Sequence, residues 1–268
     1  MNNTFGFIGA GNMGGALARA VAKATNSANI TLADQCTEKA EALAKELGCN
    51  TADAAEVAAS CSYIFLGVKP QVMQAALTQI APTLAERKDS FVLVSMAAGV
   101  AIADIRRMAG GDYPVIRIMP NIPASVGGGT ILYDTTDNVT ADAESFFKES
   151  MRFSGLVDKL PEKLIDAGSA LSGCGPAFVS MFIEALADGA VVCGLPRDKA
   201  LLYAAQTVKG TATMLLEQNM HPAALKDAVC SPGGTTIAGV QALEEGGFRG
   251  NAMDAVVSAY HRTLELGK

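Results

Sequence analysis

Residues 4–14 read TFGFIGAGNMG. The run over residues 4–9 is apolar and ends in glycine, and residues 12–23 continue with alanine-rich helical composition. Gly9, Gly11 and Gly14 therefore match G-x-G-x-x-G at a strand-to-helix junction. A turn of this kind lets the backbone approach a pyrophosphate closely, and the opening helix offers N–H groups that no helical carbonyl satisfies. A chain with 27 glycines also produces the pattern as a plain turn, so its weight comes from its place between strand and helix.

Outward from this turn the alternation repeats. Residues 29–33 (NITLA) read as a second strand, followed by a charged, alanine-rich helix over residues 37–48. Residues 63–68 (YIFLGV) and 91–96 (FVLVSM) are continuous apolar runs, the pattern of parallel strands buried on both faces, and residues 114–119 supply a further strand. Strands alternating with helices predict an α/β fold, a doubly wound Rossmann-type parallel sheet over residues 1–161. From Glu162 the pattern changes. Helical stretches run over residues 164–171, 176–193, 197–218, 223–229, 235–245 and 251–266, broken by glycine and proline clusters. Residues 162–268 thus form an all-helical domain, thin for a core of its own, whose apolar surface a second subunit is expected to share.

Composition bounds the function. Of 268 residues half are apolar and 18% charged, with a formal net charge of −6 and no long basic run, which excludes nucleic acid as a partner. Two histidines, His221 and His261, and six cysteines without a C-x-x-C spacing exclude a metal site and a disulfide scaffold, and fit reduced thiols in a cytosolic protein. Residues 91–103 are too short to span a membrane, and residues 177–195 carry Glu184 and Asp188. No basic lead-in precedes the first apolar run, as a signal peptide would require. The expectation is a soluble, cytoplasmic protein with no membrane partner.

Further candidates lie at the ends of the strands, where a doubly wound sheet binds its ligand. Asp34 ends the second strand, where a carboxylate accepts hydrogen bonds from the ribose of NAD and repels a 2′-phosphate; a helix cap or turn is the equal alternative. This leans towards NADH. Lys69, between Val68 and Pro70, follows the third strand, and small residues including Ala97 and Ala98 follow the fourth. Asn121 follows the fifth. Ser231-Pro232-Gly233-Gly234-Thr235-Thr236 precedes a helix and offers hydroxyls and free N–H groups to a small carboxylate; a plain N-cap by Ser231 or Thr235 is the alternative. No nucleophile elbow or placed histidine supports acyl transfer.

Taken in order, FIGAGNMG (7–14), GVKPQ (67–71), SMAAGV (95–100), RIMPNIPA (117–124), ALSGCGPAF (170–178), EALADGAV (184–191), GLP (194–196) and LKDAVCSPGGTTIAGVQALEEGGFR (225–249) resemble the pyrroline-5-carboxylate reductases nearly end to end. The resemblance implies reduction of L-1-pyrroline-5-carboxylate, a cyclic imine carboxylate, to L-proline with NADPH or NADH. It implies that Gly9, Gly11, Asn12, Met13 and Gly14 hold the pyrophosphate, and that Val68, Lys69, Pro70, Ala97, Ala98 and Asn121 line the nicotinamide half. Ser231, Gly233, Gly234 and Thr235 would then cradle the substrate carboxylate, with the Thr236 hydroxyl beside the ring nitrogen. It also implies a homodimer through the helical domain, assembled in some members into a decamer. Two departures stand out: Ala33-Asp34-Gln35 replaces the hydroxyl or basic residues suited to a 2′-phosphate, and Cys174 replaces a serine.

Two rival readings differ from this one in the residues they require. A 3-hydroxy-acid dehydrogenase resembles the chain in architecture but needs a lysine on the helix after its glycine-rich turn, where Pro176-Ala177-Phe178-Val179-Ser180-Met181 has none. A non-catalytic dinucleotide sensor would keep residues 9–14 but have no use for residues 231–236.

Overall fold

Strands β1 (Phe5–Ile8), β2 (Ile30–Ala33) and β3 (Asn50–Thr51) alternate with helices α1 (Asn12–Ala24), α2 (Thr37–Leu47) and α3 (Ala54–Ser60) in a computed structural model that describes residues 3–266. There follow β4 (Tyr63–Leu66), α4 (Pro70–Glu86), β5 (Val92–Ser95), α5 (Ile102–Ala109), β6 (Val115–Met119), β7 (Gly129–Thr135), α6 (Ala141–Ser150), β8 (Gly155–Lys159) and α7 (Glu162–Ser172). The sheet order is β3-β2-β1-β4-β5-β6-β7-β8. All neighbours are parallel except β6 and β7, which are antiparallel.

The continuous apolar runs are explained by helices on both faces. On one face Phe5, Phe7, Tyr63 and Phe65 meet Leu17 and Val21 of α1 and Phe147 of α6. The rings of Phe7 and Phe65 stack at 4.4 Å. On the other, Ile64, Leu66 and Leu93 meet Val57 of α3, Met73, Leu77 and Ile80 of α4 and Ile105 of α5. Each fully buried side chain of this size stabilises the fold by about 1.5–3 kcal/mol.

The five expected strands are present, each within its predicted run. β3, β7 and β8 were not predicted. β3 has two exposed residues, β8 is a half-exposed edge, and the reversal at β7 leaves no trace in composition.

The described residues divide into two compact units: those up to Gly173 with those from Tyr260 on, and Cys174–Ala259. The expected division at residues 161 and 162 falls at the start of α7. That helix packs with the first unit because Ile165 is buried with Met119 and Leu132, and because Arg117 of β6 pairs with both Glu162 and Asp166.

The second unit comprises α8 (Gly175–Val192), α9 (Arg197–Gln218), α10 (Pro222–Val229), α11 (Thr235–Glu245) and most of α12 (Phe248–Leu266). No strand occurs after Glu162 among the described residues. Its buried centre is small: Ala187, Ala200 and Ala204, whose short side chains let α8 and α9 approach closely. Large apolar side chains face outward instead, among them Met181, Val192, Leu202, Leu216 and Met253. The helical stretch Glu162–Val192 is long and apolar enough to cross a membrane by length and composition alone, and little of its most apolar window is buried in the single chain.

Candidate active site

The strand order reverses on either side of β1, so the crevice outside the carboxyl ends of β1 and β4 is the topological switch point, where such sheets bind ligands. Gly9 and Gly67 meet there. Gly9 N–H donates to Ala33 O at 2.7 Å, and Gly67 N–H donates to Ile8 O at 2.8 Å. Gly9 has φ +109°, and a Cβ on it would lie 2.6 Å from the Gly67 carbonyl, so no other residue fits. A Cβ on Gly14 would overlap the Gly9 carbonyl oxygen, which fixes how close α1 comes to the turn. Helix α1 begins at Gly11 without a side-chain cap, and nothing lies within 4 Å of where a Gly11 Cβ would stand. Open space in front of uncapped N–H groups suits the diphosphate of a dinucleotide.

Asp34 is both a tie and a turn residue. Its Oδ2 accepts the Ala10 N–H at 2.8 Å, inside the glycine-rich loop, and its Oδ1 accepts the Cys36 N–H at 2.9 Å. Each oxygen has a second lone pair, so the carboxylate retains acceptor capacity for a ribose hydroxyl.

Of the other predicted residues in the first unit, Lys69 is exposed at the N-cap of α4, extended ahead of Pro70 as the proline requires. Val68 is half-buried and Ala98 exposed. Ala97, by contrast, is buried. The Asn121 amide is occupied by protein, with Nδ2 donating to Ser172 O at 2.8 Å and Oδ1 accepting the Thr130 N–H at 2.9 Å. Asn121 thus fastens the turn after β6 to the end of α7, and its side chain is not free to turn towards a ligand.

In the second unit, α11 begins at Gly234, and no side chain caps it; the alternative reading of Ser231 or Thr235 as its N-cap is not what the chain adopts. Ser231 O accepts the Gly234 N–H at 3.0 Å, closing a turn in which Gly233 has φ +66°. A Cβ on Gly234 would collide with Ser231 Oγ. Ser231 and Thr235 are exposed and Thr236 half-buried, so the loop presents hydroxyls and uncapped N–H groups together. That combination can take a carboxylate.

Three features were not foreseen. Glu38, in the first turn of α2, accepts the Cys36 thiol at 3.2 Å, and its own backbone N–H and that thiol hold its carboxyl below the usual range. Glu162 Oε1 accepts the Ile102 N–H at 2.7 Å and the Arg117 guanidinium at 3.1 Å, so α7 caps α5. His221 caps α10 through Nδ1, which accepts the Ala223 N–H at 3.2 Å. An acid four residues beyond Asp34 was the only available sign of the first. A depression of about 400 Å³ lined by Ile102, Arg106, Asp134 and Glu162 contains no predicted site residue, and its charges are largely paired. Among the described residues no group of three or more His, Cys, Asp or Glu could hold a metal ion.

Residues 162–266 match the family model described as pyrroline-5-carboxylate reductase dimerisation, and residues 4–99 the one described as NADP oxidoreductase, coenzyme F420-dependent. The chain is 41% identical to the pyrroline-5-carboxylate reductase of Escherichia coli (strain K12), over the full length of both. It belongs to the pyrroline-5-carboxylate reductase family. The solved structure of the pyrroline-5-carboxylate reductase from Coxiella burnetii superposes with a TM-score of 0.92 at 31% identity, covering both chains in full. That of the Plasmodium falciparum pyrroline carboxylate reductase with NADP bound superposes at 0.87 with 32% identity, over 100% of this chain and 99% of that one. An NAD(P)H-dependent pyrroline-5-carboxylate reductase therefore accounts for both units: a dinucleotide cradle in the first and a helical dimerisation region in the second.

Proposed function

We propose that this protein reduces L-1-pyrroline-5-carboxylate to L-proline, with NADPH or NADH as the hydride donor. The observation that carries the reading is the coexistence of two uncapped, glycine-rich helix starts, one at Gly11 and one at Gly234, suited to a diphosphate and to a small carboxylate. When bound, the reduced nicotinamide supplies the hydride. Gly9, Gly11, Asn12, Met13 and Gly14 hold the dinucleotide diphosphate, Asp34 the adenosine ribose, and Val68, Lys69, Pro70 and Ala98 the nicotinamide half. Ala97 and Asn121, both buried, act there through backbone and support rather than through exposed side chains. Ser231, Gly233, Gly234 and Thr235 orient the substrate carboxylate, and the Thr236 hydroxyl hydrogen-bonds the ring nitrogen.

A protonated cyclic imine is already electrophilic at carbon, and its C=N π pair ends on nitrogen, so the protein needs no general base. Its task is alignment of the reacting carbons. This accords with an inventory in which His221 is a helix cap and His261 lies exposed in α12.

The outward apolar side chains of α8, α9 and α12 support a homodimer through the helical unit, with a decamer as a higher assembly. Burial against a second copy, rather than lipid, is our reading of the apolar stretch Glu162–Val192. The protein then works in the cytoplasm on a small molecule. Purified protein should oxidise NADH or NADPH only when pyrroline-5-carboxylate is present. Tight dinucleotide binding without oxidation would overturn the enzymatic reading and favour a dinucleotide sensor.

A further inference from the structure

The end of β2 and the first turn of α2 carry a connected set of polar groups. Ala10 N–H donates to Asp34, Cys36 N–H donates to the same carboxylate, and the Cys36 thiol donates to Glu38. The set runs unbroken from the glycine-rich loop to the start of α2. In a Rossmann βαβ unit this is where the adenosine ribose lies, and where a 2′-phosphate must be accommodated if there is one. A protein that takes the phosphate needs a cation or free helix N–H groups there. Here Glu38 turns back on its own backbone N–H and on the thiol of the N-cap residue, so a carboxylate already occupies the anion-attracting end of α2. Its carboxyl, held below the ordinary range by those two donors, is ionised at neutral pH. Lys39 is the single cation in that turn, against Asp34 and Glu38.

Resting on the reading of this chain as a dinucleotide-dependent reductase, we infer that Glu38 is a specificity-determining residue: with Asp34 it sets two carboxylates beside the ribose 2′ position and biases the protein towards NADH over NADPH. Asp34 restrains the loop whichever dinucleotide binds. The Glu38 carboxylate is held by the Cys36 thiol and its own backbone N–H, whereas Asp34 holds the loop, so the effect of Glu38 falls on the 2′-phosphate.

The experiment is equilibrium binding, read from the nicotinamide fluorescence of NADH and NADPH on the full chain, with 2′,5′-ADP and 5′-AMP as competitors for the adenosine end. Glu38→Gln keeps an oxygen for the backbone N–H and removes only the charge. The wild type should bind NADH more tightly. Glu38→Gln should tighten NADPH and 2′,5′-ADP by about 3- to 10-fold and leave NADH and 5′-AMP within about twofold, the range expected of one exposed like-charge pair. The same NADPH-to-NADH ratio in variant and wild type, with both dinucleotides bound, would overturn the role of Glu38 and leave the reductase reading intact. A wild type that prefers NADPH would also overturn it. Binding of neither dinucleotide would remove the reductase reading and this inference together.

Discussion

Asp34 Oδ2 and the Ala10 N–H lie 2.8 Å apart, joining the end of β2 to the middle of the glycine-rich loop. One carboxylate therefore restrains the glycine-rich loop and, in the proposed reading, also charges the ribose end. Asp34→Ser should raise the KM for NADH by about tenfold, the effect of a lost charge-assisted hydrogen bond, and move the preference towards NADPH. Steady-state kinetics with both cofactors tests this. Two unchanged KM values would leave Asp34 as a turn cap alone.

Thr236 is half-buried on the first turn of α11, beside the loop that offers its N–H groups. Thr236→Ala should lower kcat/KM for the imine by roughly 10- to 1000-fold, or about 1–4 kcal/mol of transition-state binding. Wild-type kinetics in the variant would remove Thr236 from the site.

Gly234 faces Ser231 so closely that a methyl group must displace the hydroxyl. Gly234→Ala should raise the KM for the imine carboxylate by about tenfold, the loss of one good hydrogen bond to a charged group, and leave dinucleotide Kd unchanged. A change in dinucleotide Kd with the imine KM intact would place the carboxylate elsewhere.

Tyr63 is buried in the sheet and donates its hydroxyl to Ala143 O at 2.9 Å. Burial pushes it up to about 12 from an ordinary value of 10.0. A group raised on folding keeps its stabilising effect below the unfolded value and loses it as pH rises through the folded one. Stability should therefore fall between about pH 10 and pH 12. Tyr133, raised by burial and by Glu144, acts in the same direction, so the contribution of Tyr63 is read as the difference between wild type and Tyr63→Phe in urea melts. The variant should lose about 1 kcal/mol at neutral pH and show a shallower alkaline decline. Identical alkaline limbs would refute the assignment.

Sedimentation of the wild type should give twice the chain mass of 27.6 kDa. Met181 and Leu216 are among the most exposed apolar residues of the helical unit, at 69% and 82%. Met181→Asp or Leu216→Asp should shift the equilibrium towards monomer. A monomeric wild type at micromolar concentration would contradict an interface on this unit.

Much of this was legible beforehand, because burial on both faces leaves uninterrupted apolar runs such as residues 63–68, and because glycine and proline mark helix ends such as those of α9 and α11. Direction was not. β7 was missed altogether, and nothing in its sequence says that it runs against β6. Legibility of the site divided in the same way. The glycines of the two loops were evident, since their spacing is local. The engagement of Asn121 with Ser172 and Thr130, and of Asp34 with Ala10, depends on residues brought together across the chain, and no periodicity encodes it. Nothing in the sequence marks Glu38 out, because its partner is a thiol two residues away.

The parallel run of β1, β4, β5 and β6 gives the first unit two unlike edges. The glycine-rich turn and the residues after β4, β5 and β6 gather at the carboxyl edge, while the connection from α4 to β5, with exposed Lys88, lies at the opposite one. For anyone wishing to mount the protein on an electrode or bead, that polarity selects the anchoring point. With the exposed Cys193 thiol removed by Cys193→Ser, Lys88→Cys would tether the molecule with its carboxyl edge turned towards the bulk solution.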